Sequence, residues 1–167
     1  MSASLQAARA FAVTAHGEQQ YGENRYLVHL ESVVALLAQY SETHRVVGYL
    51  HDVVEDTDTA VETLEAEFGS TVARWVALVT DEPGDTRQER KAKTYAKLAE
   101  VTADGPDAGA LVVKTADRMA NVWVCVRGEH TSKLQTYRDE HAAFRAAAFR
   151  PGLCDALWSA LDDQFES

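Results

Sequence analysis

The stretch that most constrains the fold is "AGALVVKTADRMANVWVCV", Ala108 to Val126. It is far longer than the five or six residues of an ordinary strand and apolar on nearly every side, so it predicts a helix at the centre of a helical fold. Lys114, Asp117 and Asn121 are the polar exceptions within it. They need a reason to be there, since a buried charge is costly unless paired.

The rest of the chain repeats the helical pattern. Leu5, Ala8, Phe11, Ala12 and Ala15 follow 3-4 spacing in a first helix that should stop near Gly17. The polar stretch "GEQQYGENR" reads as a loop, and a second helix from about Leu27 to Gln39 carries Leu30, Val33, Val34 and Leu37 on one face. A third begins after Ser41 and runs through Val46, Leu50 and Val53 to about Glu55. "AVETLEAEFG" and "STVARWVALVTD" are two further short helices, separated at Gly69. "TRQERKAKTYAKLAE" forms a basic helix with a solvated face that could border a pocket for a polyphosphate. Ser132 and Gln135 have capping-box spacing for a helix reaching about Phe149, and Pro151-Gly152 precedes a last helix ending near Phe165. Alternating runs bounded by turns are missing, and no repeat or interdomain linker interrupts the pattern. The expectation is an all-α bundle forming one domain across residues 1–167.

Composition narrows the partners. With 26 acidic against 16 basic residues the formal charge is −10, which argues against a nucleic-acid backbone or an anionic membrane as the main partner. A small phosphate-bearing molecule remains compatible, because a bound cation can supply the local positive centre. Cys125 and Cys154 form no CxxC pair, and no segment approaches the roughly 18 apolar residues of a membrane span. The N-terminal stretch has no basic flank followed by an apolar core, and a cytoplasmic protein is expected. Trp75, Trp123 and Trp158 read as core.

The chemistry concentrates in "YLHDVVEDTDT", Tyr49 to Thr59. On a helix His51 stands over Glu55, and Asp52 over Glu55 and Asp56, so several ionisable groups converge on about one turn. Carboxylates this close repel, and the cluster calls for a compensating basic side chain or a metal. An adjacent His-Asp pair suits a first-row divalent ion such as Mn²⁺, Fe²⁺ or Zn²⁺. Two ligands bind weakly, and His29 in "YLVHLESV" and Asp117 in the central helix are available to complete the set. Each has a blander alternative. His29 alone is as well explained as a capping or surface residue, and Asp117 as an ion-pair partner of Lys114 or Arg118.

Taken in order, "AARAFAVTAHGEQQYG", "YLVH", "YLHDVVEDTDT", "EAEFGSTVARWVALVTD", "RQERKAKTY", "VVKTADRMANV" and "SKLQTYRDEHAAFRAA" resemble the HD-domain phosphohydrolases. Within that superfamily they are similar to the hydrolase domain of RelA/SpoT-type enzymes and to its small stand-alone relatives. That resemblance implies an all-α metalloenzyme that removes the 3′-pyrophosphate of guanosine tetra- or pentaphosphate (ppGpp) by a metal-bound water. It places metal ligands at His29, His51, Asp52 and Asp117, with Mn²⁺ the expected ion, and water-handling acids at Glu55 and Asp56. Asn121 falls near the ribose, Lys114 and Arg25 are candidate substrate contacts, and Tyr137 lies in a stretch that borders the pocket. The chain departs from the family at three places. Arg25 is the sole base of the loop between His16 and His29, where an Arg-Lys pair is usual. Leu30 replaces a proline, and Trp123 an arginine. Two other readings stand beside the alarmone hydrolase: an HD phosphohydrolase of another nucleotide, and a nucleotide sensor without catalysis.

Overall fold

The computed structural model describes residues 2–128 and 130–166. The helices are α1 (Ala3–His16), α2 (Leu27–Leu36), α3 (Glu42–Leu50), α4 (Val53–Asp56), α5 (Val61–Phe68), α6 (Ser70–Val79), α7 (Arg87–Ala99), α8 (Ala108–Arg127), α9 (Thr131–Ala148) and α10 (Asp155–Glu166). Between α1 and α2 lies a small antiparallel hairpin, β1 (Gln20–Tyr21) and β2 (Asn24–Arg25), with Gln20 opposite Arg25 and Tyr21 opposite Asn24.

The apolar stretch that opened the argument is the central helix. Every residue of α8 from Ala108 to Ala120 is buried, and the helix packs against α2, α3, α6, α9 and α10. Close approach at two points depends on glycine. A Cβ on Gly109 would stand 1.9 Å from the Trp75 ring, which lets α6 lie directly on α8. A Cβ on Gly48 would stand 2.9 Å from Leu37 Cδ1 and 3.2 Å from Val34 Cγ2, so α3 can sit tightly beside α2. Apart from these two close approaches, α2, α3 and α8 all pack on one another.

Four sequence expectations change. The helix predicted to run from Ser41 through Glu55 breaks at His51-Asp52 into α3 and α4. The His51 Nδ1–H donates to the Gly48 carbonyl oxygen at 2.8 Å, competing for an acceptor that a continuous helix would give to a backbone N–H four residues on. The loop "GEQQYGENR" holds the hairpin, with Gly22 at φ 61° in the first central position of a two-residue turn that calls for positive φ. The capping box at Ser132 and Gln135 does not form, because α9 starts at Thr131 with His130 before it and no side-chain cap. Trp75 and Trp158 are core residues, but Trp123 is 37% exposed beneath the Arg127 guanidinium.

Candidate active site

Because α2, α3 and α8 meet at one level, the polar insertions of three apolar helices converge. His29 comes from the first turn of α2, His51 and Asp52 from the break after α3, and Asp117 from the middle of α8. His29 Nε2 and His51 Nε2 lie 3.3 Å apart. Asp52 Oδ2 is 3.0 Å from His51 Nε2 and 3.5 Å from His29 Nε2. Asp117 Oδ1 is 3.4 Å from His29 Nε2 and 3.6 Å from His51 Nε2. His29, His51 and Asp117 are buried, and their candidate ligand atoms all lie within 4.8 Å of one another.

This donor set fits a divalent cation. Neighbouring ligands around an ion with bonds of about 2.1 Å stand about 3.0 to 3.4 Å apart, close to the separations here. With its Nδ1–H committed to Gly48, neutral His51 turns an Nε2 lone pair into the cluster. Charge balance points the same way. Burial works against charge on both imidazoles, yet Asp52 and Asp117 outweigh it and raise the pKa of each, that of His51 well above the ordinary histidine value. Burial also disfavours the two carboxylates, but the histidines, and for Asp117 Lys114 above all, hold both below the usual carboxylate range. The carboxylates thus draw protons onto the imidazoles, and a metal ion would displace those protons.

The cluster forms the floor of a cavity of about 230 Å³. Glu55 and Asp56 stand at its open side, one turn beyond Asp52. Glu55 Oε2 accepts the Asp81 backbone N–H at 2.9 Å. Loss of hydration raises the Glu55 carboxyl above its ordinary pKa, with Lys114 pulling it the other way. Asp56 Oδ2 receives Gln19 Nε2 at 3.4 Å. Lys114 is buried with its Nζ 3.3 Å from Asp117 Oδ2, and the surrounding carboxylates outweigh the effect of burial and raise its pKa.

The lining also includes a cationic wall of five bases, Arg87, Arg90, Lys91, Arg118 and Lys133. Lys91 pairs with Asp81 at 2.6 Å, while Arg87 and Arg118 grip Glu140 at 2.7 and 3.0 Å. Both guanidiniums lie over the Tyr137 ring, 5.6 and 4.7 Å from its centroid, and burial pushes the Tyr137 phenol up to about 12. In a chain of charge −10, five bases on one wall make a local anion site.

His29, Asp52, Glu55, Asp56, Lys114, Asp117, Asn121 and Tyr137 therefore line one space, with His51 buried behind His29 and Asp52. Arg25 does not join them: the hairpin turns it outward to Glu18, with Nη2 2.9 Å from Glu18 Oε2 and the side chain 65% exposed. Asn121 gives its Nδ2 to Asp117 Oδ1 at 2.6 Å and accepts the Tyr21 hydroxyl at 2.6 Å. Sequence reasoning missed Asp81, Arg118, Tyr21 and Tyr26 as lining residues. Each resembles an ordinary surface or core residue until long-range packing places it. The basic helix α7 was a partial signal, since Arg87, Arg90 and Lys91 all come from it.

A bundle of helices with a buried His-His-Asp cluster suited to a divalent metal, facing a cationic wall, defines the class: a metal-centred α-helical domain. Residues 8–143 match the HD domain family, and the chain belongs to that family. It is 35% identical over 126 residues to the guanosine-3′,5′-bis(diphosphate) 3′-pyrophosphohydrolase of Aquifex aeolicus, covering 72% of this chain and 18% of that protein. It is 33% identical over 128 residues to the Homo sapiens guanosine-3′,5′-bis(diphosphate) 3′-pyrophosphohydrolase MESH1, covering 72% of this chain and 69% of that protein. Its alignments therefore span about a fifth of the long bacterial relatives and about two thirds of the metazoan ones. A solved structure of a metazoan SpoT ortholog that hydrolyses ppGpp superposes with a TM-score of 0.84 at 26% identity, covering 99% of this chain and 96% of that one.

Proposed function

We propose that this chain is a metal-dependent phosphohydrolase that removes the 3′-pyrophosphate of guanosine tetra- or pentaphosphate. The observation that carries the reading is that a four-donor His/Asp cluster and five bases meet at one cavity. The printed activities of the relatives agree with it. His29, His51, Asp52 and Asp117 would hold the ion, Mn²⁺ by preference, which would supply Lewis acidity toward water and the phosphoryl oxygens.

The remaining work falls to the chain's own side chains. Glu55, on the open side one turn past Asp52, accepts the proton of the attacking water, and its raised pKa makes it a stronger base than an ordinary carboxylate. Asp56 orients that water beside it. Arg90, Lys91 and Lys133 bind the phosphoryl oxygens, and Lys114 holds Asp117 in place while adding positive charge beneath them. The water oxygen adds to phosphorus, the bond from phosphorus to the ribose 3′-oxygen breaks, and that oxygen leaves as a hydroxyl with a proton from solvent, to which Glu55 releases the one it took from the water. Tyr137, pinned between Arg87 and Arg118, closes the wall. We read residues 1–167 as one HD-type domain working on a small nucleotide in the cytoplasm.

A second reading, hydrolysis of another nucleotide, is favoured by one observation. The only base of the loop between His16 and His29, Arg25, points to Glu18 and away from the cavity. Pyrophosphate release from ppGpp and from a panel of nucleoside phosphates, each with Mn²⁺, separates the two. Turnover of ppGpp well above the panel supports the first, and no release from ppGpp at micromolar enzyme overturns it. Metal-dependent turnover of any member excludes a purely sensory role.

A further inference from the structure

The hairpin between α1 and α2 and the residue that follows it reach the donor cluster through two tyrosines that line the cavity. Tyr26, just after β2, donates its hydroxyl to Asp52 Oδ2 at 2.6 Å. Tyr21, in β1, donates to Asn121 Oδ1 at 2.6 Å, and Asn121 Nδ2 donates in turn to Asp117 Oδ1 at 2.6 Å. The carboxylate oxygens held in this way are the same two that face His29 Nε2 and His51 Nε2.

Both rings are also fixed. Tyr21 stacks on the His29 imidazole with centroids 4.7 Å apart and planes 20° from parallel, and Tyr26 meets His29 edge-on at 5.7 Å. On its other side Tyr26 stacks on His16 at 4.3 Å, and the Tyr26 backbone N–H closes the hairpin onto the Gln19 carbonyl at 3.0 Å.

We infer that Tyr21 and Tyr26 are positioning residues, two arms of one hairpin that aim the carboxylates of Asp117 and Asp52 at a shared cation. A carboxylate oxygen carries two lone pairs, and a donor that occupies one of them fixes the direction of the other. Without the arms, each carboxylate would rotate about its terminal torsion, which is soft. The inference rests on the metal-dependent reading above and extends it to the hairpin.

The test is Mn²⁺ titration calorimetry on the full chain, wild type against Tyr26→Phe, Tyr21→Phe, Asn121→Ala and the two doubles that pair each Phe with Asn121→Ala. Phenylalanine keeps the ring stacking and removes only the hydroxyl, and circular dichroism checks the fold of each variant. Tyr26→Phe is expected to weaken Mn²⁺ binding by roughly 10- to 100-fold, the usual cost of losing an outer-sphere partner of a ligand, with kcat recovering at saturating metal. Tyr21→Phe is expected to weaken it less and to add nothing in the Asn121→Ala background, whereas Tyr26→Phe adds in full there. A merely structural role predicts additive losses for both tyrosines and no recovery with metal. Unchanged Mn²⁺ affinity in Tyr26→Phe, or full additivity of Tyr21→Phe with Asn121→Ala, overturns the inference while leaving the metal reading intact. Failure of the wild type to bind any divalent ion overturns both.

Discussion

The two walls of the cavity solve the problem of buried charge in opposite ways. On the cationic wall the charges are largely paired within the protein: Arg87 and Arg118 share Glu140, and Lys91 has Asp81. On the donor wall four ligand-type side chains crowd within 3.6 Å of their neighbours, with Lys114 the nearby cation. The first wall is stable as it stands. The second is balanced only by taking up protons or a metal ion. A wall that is satisfied internally is preorganised to meet an anion without rearranging, while an unsatisfied one has a free-energy gain waiting for its ion.

That contrast can be broken in order of expected effect. Asp52→Ala should abolish both Mn²⁺ binding and activity, which elemental analysis and a turnover assay would report. In the wild type, Mn²⁺ at about 100 times its Kd should stabilise the fold by about 2.7 kcal/mol, and in Asp52→Ala the thermal shift should vanish. Glu55→Gln should keep its metal and lose activity by roughly 10²-fold or more, as expected of a general base. Metal loss equal to that of Asp52→Ala would make Glu55 a ligand and erase the distinction drawn between the floor and its rim.

Smaller effects belong to the cationic wall. Arg90→Ala should raise KM by about tenfold, the size of one charge-assisted hydrogen bond, with Mn²⁺ affinity unchanged by calorimetry. A matching loss of metal affinity would mean that the walls are not separable. Smallest is Glu140→Gln. Burial favours the neutral Glu140 carboxyl, but Arg87 and Arg118 outweigh it and hold the pKa below its ordinary value of 4.5. A depressed carboxylate stabilises the fold above the unfolded-state pKa and loses that contribution as pH falls through its folded pKa. The deficit in Tm of Glu140→Gln should therefore be full above pH 4.5 and fade at lower pH, followed by calorimetric melts across that range.

Legibility in the sequence followed the range of the interaction. His51, Asp52 and Asp117 stood out because a charge on an apolar helical face breaks a local pattern, and helical spacing placed Glu55 and Asp56 beside them. Arg118 breaks the same apolar stretch, but what it faces could not be read there, since its partner Glu140 lies 22 residues away on another helix, and Arg87 reaches the same carboxylate across 53 residues. Arg25 misled for a related reason. Its direction is set by hairpin register, and pairing with Gln20 leaves it beside Glu18 rather than over the cavity. Trp123 reads as core by composition, but it falls on the exposed side of the last turns of α8.

By itself the sequence determined the helices, the central place of α8 and the kind of chemistry its polar interruptions imply, because side-chain periodicity and the cost of burying charge are local facts. Only the tertiary structure decided that the donor atoms stand 3.0 to 3.6 Å apart, that five bases face them, and that a two-strand hairpin reaches under the site to hold two carboxylates. Those distances depend on how closely α2, α3 and α8 pack on one another, and the α2–α3 approach, at Gly48, joins residues far apart in the chain.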